Sequence, residues 1–192
     1  MKIEIDAAAM ELASESAAKP KAMWRFGLAL WSIPGIKDLS LKWQDRFGFD
    51  ASFFVFLCWI VLREARFLDT EQIQAAAEAV AQWRASVLEP ARNARKATKA
   101  ACPRKEHPEA AAIFKLLRSV ELRAELIEQE TLLDWFKDAS TLMRGAVTQN
   151  ALETQIKFYV TRLSADFDEC DLRKMCDSIF VADMFLPRMS EQ

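Results

Sequence analysis

The chain has 192 residues, 52% of them hydrophobic, and a formal net charge of −2. That length suits one domain, or one domain with an appendage, and the charge excludes a globally basic nucleic-acid binder while leaving room for a local basic patch. Four Gly and six Pro leave few turn residues, and no segment alternates apolar and polar residues, so the expected fold is all-α, a bundle of about six or seven helices.

Residues 1–20 read as a disordered lead-in. Lys2, Glu4, Asp6, Glu11 and Glu15 interrupt any apolar stretch, so this is no secretory signal. A first helix is expected from Lys21 to Ile33, with Met23, Phe26 and Leu30 on one face and Pro34-Gly35 as its break. A second, Ile36 to Phe47, gathers Ile36, Leu39 and Trp43 and stops at Gly48. Asp50 then stands as N-cap of a third helix, its carboxylate accepting from orphan amides. Phe53 to Leu62 has no polar face. A helix apolar all round must be wrapped by protein or lipid, and this run falls short of the roughly 20 residues that span a bilayer. It is therefore the expected buried central helix.

Asp69-Thr70-Glu71-Gln72 carries a capping-box pattern. The helix it starts places Ile73, Ala76, Ala77, Val80, Trp83 and Val87 in one stripe, is kinked or restarted at Pro90, and reaches about Ala100. Cys102 to Pro108 is a loop. Pro108 suits the first turn of a long helix running to Asp138. That helix has two apolar seams: Ile113, Leu116, Leu117, Val120, Ala124 and Ile127 on one side, and Leu122, Leu126, Leu133 and Phe136 on the other. Two seams mean a helix sandwiched between layers or meeting a partner chain; the sandwich is the simpler expectation. Gly145 and Thr148-Gln149-Asn150 mark a break before a helix with Leu152, Ile156, Tyr159, Val160 and Leu163. Asp166 to Glu169 leads into the last helix, closed by Pro187. The resulting division is a lead-in over 1–20, a helical domain over 21–140, and a C-terminal helical pair over 141–192 packing on it.

Of four cysteines, Cys58 sits in the apolar run, Cys102 in a loop, and Cys170 and Cys176 on roughly opposed helix faces. None suggests a disulfide or metal clip, and a cytoplasmic setting is expected. His107 is the sole histidine and has no nucleophile near it in sequence. Gly-rich phosphate loops and paired-cysteine motifs are absent. No cofactor or metal is therefore expected, and the balance leans away from an enzyme.

Two constellations stand out. Gln44, Asp45 and Asp50 could line a pocket mouth for a substrate or cation; the plainer alternative is that Asp50 caps a helix and Asp45 pairs with a base. Arg92, Arg95, Lys96 and Lys99 fall within one helical arc, followed by Arg104 and Lys105. Such a ridge could hold phosphate, nucleic acid or an acidic partner, or pair internally with Glu121, Glu125 and Glu128 across an antiparallel helix pair. The many aromatic residues, six Trp and thirteen Phe, do not alternate with this ridge as a base-stacking platform requires. Trp24, Trp43, Trp59 and Trp83 instead fall at core-facing positions.

Trp24, Phe26, Leu28, Pro34-Gly35, Leu39, Leu41, Gln44-Asp45, Gly48, Asp50 and Trp59-Ile60 follow one another in a recognisable order. So do Trp83-Arg84, Pro90-Ala91-Arg92-Asn93-Ala94-Arg95-Lys96 and Glu121-Leu122-Arg123-Ala124-Glu125. From Trp24 to about Trp135 the chain resembles a family of small bacterial helical proteins with no assigned function. It departs from that pattern at Ala51-Ser52 and Lys96. The resemblance implies an all-α fold and a bacterial origin and brings no activity.

The expectation is a non-enzymatic cytoplasmic adaptor engaging a protein partner. Arg92, Arg95, Lys96 and Lys99 would supply charge, and Leu122, Leu126 and Leu133 apolar contact. Nucleic acid at the ridge and a homodimer through the second seam are further alternatives. A different class is a small-molecule binder or enzyme with its pocket at Gln44, Asp45 and Asp50.

Overall fold

The computed structural model describes residues 18–101, 107–139, 142–164 and 166–184. The lead-in up to residue 17, Cys102, Arg104, Lys105 and Pro187 lie outside them. Helix α1 (Ala18–Ser32) turns into α2 (Ile36–Phe47), which ends at Gly48. Gly48 has φ 69°, a left-handed conformation that costs a residue with a Cβ but not glycine. Its N–H returns to the Gln44 carbonyl at 3.2 Å, closing the helix. Two residues later Asp50 caps α3 (Ala51–Leu62).

Helix α4 (Thr70–Trp83) opens with the capping box: Asp69 accepts from the Gln72 N–H while the Gln72 side chain accepts from the Asp69 N–H. A π turn (Arg84–Leu88) joins α4 to α5 (Glu89–Ala101). Pro90 explains it. Proline has no N–H to return and its ring crowds the carbonyl four residues back, and a wider turn relieves both. Pro90 thus restarts the rod without breaking it. Next come α6 (Pro108–Asp138), with Pro108 in its first turn, α7 (Gln149–Leu163), capped by Thr148, and α8 (Glu169–Asp183), capped by Asp168. With α4, the π turn and α5 taken as one rod, seven helices are described. The protein is an all-α bundle.

Between Ser52 and Leu62 every residue of α3 except Trp59 is buried. Helices α1, α6 and α7 pack around it, and α8 packs on α7. Tyr159 lies with its ring centroid 4.9 Å from Phe53, and Trp135 and Phe136 meet Phe56 edge-on. Fully buried side chains of α3 such as Phe53 and Phe56 each contribute about 1.5–3 kcal/mol relative to exposure.

Two details depart from expectation. A two-residue strand β1 (Arg66–Phe67) pairs antiparallel with β2 (Met143–Arg144), too short to show as alternation. Gly145 is needed there, because a Cβ would lie 2.8 Å from the Phe67 ring. In addition, α6 packs on α1 and α3 and on the α4–α5 rod, yet one of its seams, apart from the buried Ala124, is left largely open. Leu122 and Leu133 are buried, whereas Ile113, Leu116, Val120 and Ile127 stay 49%, 67%, 49% and 41% exposed among the described residues. Among those residues no helix is long and apolar enough to cross a membrane.

Candidate functional site

Asp50 anchors a cluster drawn from four helices. One carboxylate oxygen, Oδ1, accepts from the Ser52 and Phe53 N–H groups at 2.8 and 3.1 Å, which is the α3 cap. The Asp50 N–H donates to the Tyr159 hydroxyl oxygen at 2.8 Å, tying α7 to the start of α3. The other oxygen, Oδ2, lies 2.7 Å from Arg84 Nε, at the first position of the π turn. Glu128 of α6 is fully buried next to Asp50, with Oε1 3.5 Å from the same Arg84 Nε.

Two carboxyl groups therefore share one guanidinium away from water, and they cannot both ionise cheaply. Burial, reinforced by the Asp50 carboxylate and a hydrogen bond to it, pushes the Glu128 carboxyl up to about 10. At neutral pH Glu128 is thus a neutral acid that donates to Asp50. That proton gives one of the two buried Glu128 oxygens, both otherwise without a hydrogen-bond partner, a partner in Asp50. Burial, with help from Asp50, also raises the Tyr159 phenol, so it stays protonated. Tyr159→Phe removes the acceptor of a buried N–H and should cost about 1–3 kcal/mol in urea unfolding.

A second tier continues along α5 and α6. Arg92, only 7% exposed, reaches Glu121 at 3.1 Å and Glu125 at 3.2 Å. Arg95 also binds Glu121, in a close contact, and Arg118 adds a third cation at 3.3 Å. Burial opposes the Glu121 charge, but Arg95, Arg118 and Arg92 together hold this carboxyl below its ordinary value. Burial and the neighbouring Glu121 instead raise Glu125, against the pull of Arg92. Gln44, in the orientation that satisfies both amide atoms, accepts from Arg92 Nε and Nη1 at 3.2 and 3.1 Å.

Beside this network opens a cleft of about 160 Å³. Gln44, Gly48 and Phe49 form the α2–α3 side, and Arg84, Glu89, Arg92, Asn93 and Lys96 the α4–α5 side. Among the described residues no group of three or more His, Cys, Asp or Glu side chains could hold a metal ion.

The residues singled out from the sequence are distributed as follows. Gln44 lines the cleft; Asp50 lies buried behind it as a cap; Asp45 is at the surface, 2.7 Å from Lys96. The ridge is divided. Arg92 and Arg95 turn inward to Glu121 and Glu125, whereas Lys96 and Lys99 face solvent. Leu122 and Leu133 are buried within the chain and Leu126 packs beside Leu122 and Trp24. Sequence reasoning missed Arg84, Tyr159 and the pairing of Glu128 with Asp50. The available signal was Glu121, Glu125 and Glu128, acids at helical spacing on a side of α6 that also carries Leu122 and Leu132.

Fold and site define an all-α bundle organised around a buried acid–arginine cluster. The chain belongs to the family described as "Protein of unknown function (DUF2390)", whose model matches residues 22–132. That span contains Gln44, Asp50, Arg84, Arg92, Glu121 and Glu128, while Tyr159 comes from beyond it. No curated protein and no solved structure matches the chain.

Proposed function

We propose that this protein is a non-enzymatic helical binding module of the bacterial cytoplasm that docks an amphipathic helix of another protein on the open face of α6. The observation that carries this reading is the exposed run Ile113, Leu116, Val120 and Ile127. Its spacing of three, four and seven residues is that of a helix-pairing seam. An apolar stripe of this kind left open on a soluble bundle is a mark of an interaction surface. Lys99 and Lys115 are exposed on α5 and α6. They favour a partner whose apolar face is flanked by acids, with charge steering the encounter. The free thiols of Cys58, Cys170 and Cys176 are in keeping with a reducing compartment.

In this reading Leu122, Leu126 and Leu133 hold α6 in the bundle, and α7, with α8 packed on it, braces α3 and α4. Nucleic acid is disfavoured because Arg92 and Arg95 are engaged by Glu121 and Glu125. The double substitution Leu116→Glu and Val120→Glu should leave the helical circular dichroism and Tm unchanged. It should abolish retention of a partner that the wild type holds and that added salt weakens. If the two baits retain the same proteins, the α6 face is not the docking surface. Self-association of the wild type that the same substitutions abolish would replace the partner with a second copy of the chain.

A further inference from the structure

We propose that the cleft between α2 and the α4–α5 rod binds a compact oxyanion, a phosphate or carboxylate group, through Arg84, Arg92 and Lys96. The cleft is separate from the α6 face and the inference does not rest on it. Its wall holds three cations and two amides, Gln44 and Asn93, against one acid, Glu89. The carboxylates that balance the arginines do not line it: Asp50 partners Arg84, and Glu121 and Glu125 partner Arg92. Each ion pair therefore presents its positive end to the opening.

The Arg84 guanidinium is the strongest reason. Its side chain is four-fifths buried, with 20% exposure. Its Nε contacts Asp50, while Nη2 lies 3.8 Å from Glu89, beyond hydrogen-bond reach. The planar donor fork of a guanidinium matches a phosphate or carboxylate edge. Gln44 holds Arg92 in place from the other wall. A cleft of about 160 Å³ is too small for a drug-sized molecule, for which about 300–1,000 Å³ is usual, and suits a small ion or a ligand's charged end. Glu89 is half-exposed on the rim, where it competes weakly for Arg84.

The test is a thermal-shift and calorimetric titration of the whole chain with inorganic phosphate and with succinate, each against sodium chloride at equal ionic strength. Saturable binding of either is expected, raising Tm by roughly 5–10 °C at a hundred times its Kd. Phosphate alone identifies a phosphoryl ligand, and succinate alone a carboxylate. Lys96→Glu with Asn93→Asp, both at exposed positions, should weaken binding tenfold or more. Glu89→Gln should tighten it several-fold. Absence of saturable binding by both anions, or equal binding by the Lys96/Asn93 variant, overturns the proposal.

Discussion

Asp50→Ala should destabilise the protein by at least about 4 kcal/mol, read as a fall in the urea midpoint, and so leave little soluble folded chain. The cap alone is worth about 1 kcal/mol, and both amides it satisfies are at the start of the buried helix α3. The larger loss is electrostatic. Arg84 would keep its charge with its 2.7 Å partner gone, and stripping one member from a buried pair costs about 3–5 kcal/mol. Against a total stability of about 5–15 kcal/mol this approaches unfolding. Asp50→Asn separates the two contributions. The amide oxygen still caps α3, while the negative charge beside Arg84 is lost just as it is in Asp50→Ala. Its cost should therefore be smaller by the worth of the cap it retains, about 1 kcal/mol. Equal losses from both substitutions would show that the cap adds nothing measurable and that the charge beside Arg84 carries the effect.

The second large effect is a dependence of stability on alkaline pH. Glu128 holds a proton in the folded state up to about 10, whereas an unfolded glutamate releases it near 4.5. Between those values the unfolded chain binds fewer protons, so stability falls as pH rises. It is complete below the unfolded value and lost through the folded one. Because the group is coupled to Asp50 and Arg84, a loss on the order of 2 kcal/mol between pH 5 and 8 is expected. Glu121 has the opposite sign. Its depressed value adds stability that disappears as pH falls below the ordinary carboxylate range. Above pH 5 the slope comes from Glu128 together with Glu125, which is raised as well, and a Glu128 substitution tells the two apart. Glu128→Gln keeps a donor toward Asp50 without a titrating proton. It should flatten the slope and raise the urea midpoint at pH 8 above that of wild type. A wild-type midpoint that does not fall between pH 5.5 and 8.5 would rule out a neutral Glu128.

These two predictions concern groups that were unevenly legible. Asp50 was readable as a cap because a short acid just before an apolar run has a local role, satisfying amides two and three residues on. Its contacts with Arg84, Glu128 and Tyr159 span gaps of dozens of residues, and no local pattern encodes them. Arg84 falls between Trp83 and Val87 of the α4 stripe, where a charged residue reads as an interruption. Its inward position depends on the π turn before Pro90 and on α6 lying alongside.

The helices themselves were largely local matters. Gly48, the Asp69–Gln72 box, Pro108 and Thr148 act within one turn of the chain, so boundaries such as Ile36–Phe47 and Pro108–Asp138 could be placed from residue order alone. The same holds for burial of Phe53 to Leu62, since a helix without a polar face must be surrounded. Packing decided the rest. Both seams of α6 are apolar in sequence, yet Leu122 and Leu133 are buried while Leu116 is left open. Arg92 and Lys96 share one arc, but only Arg92 meets acids in the interior. Apolarity and charge belong to each side chain; which of them lose contact with water depends on where distant helices come to rest.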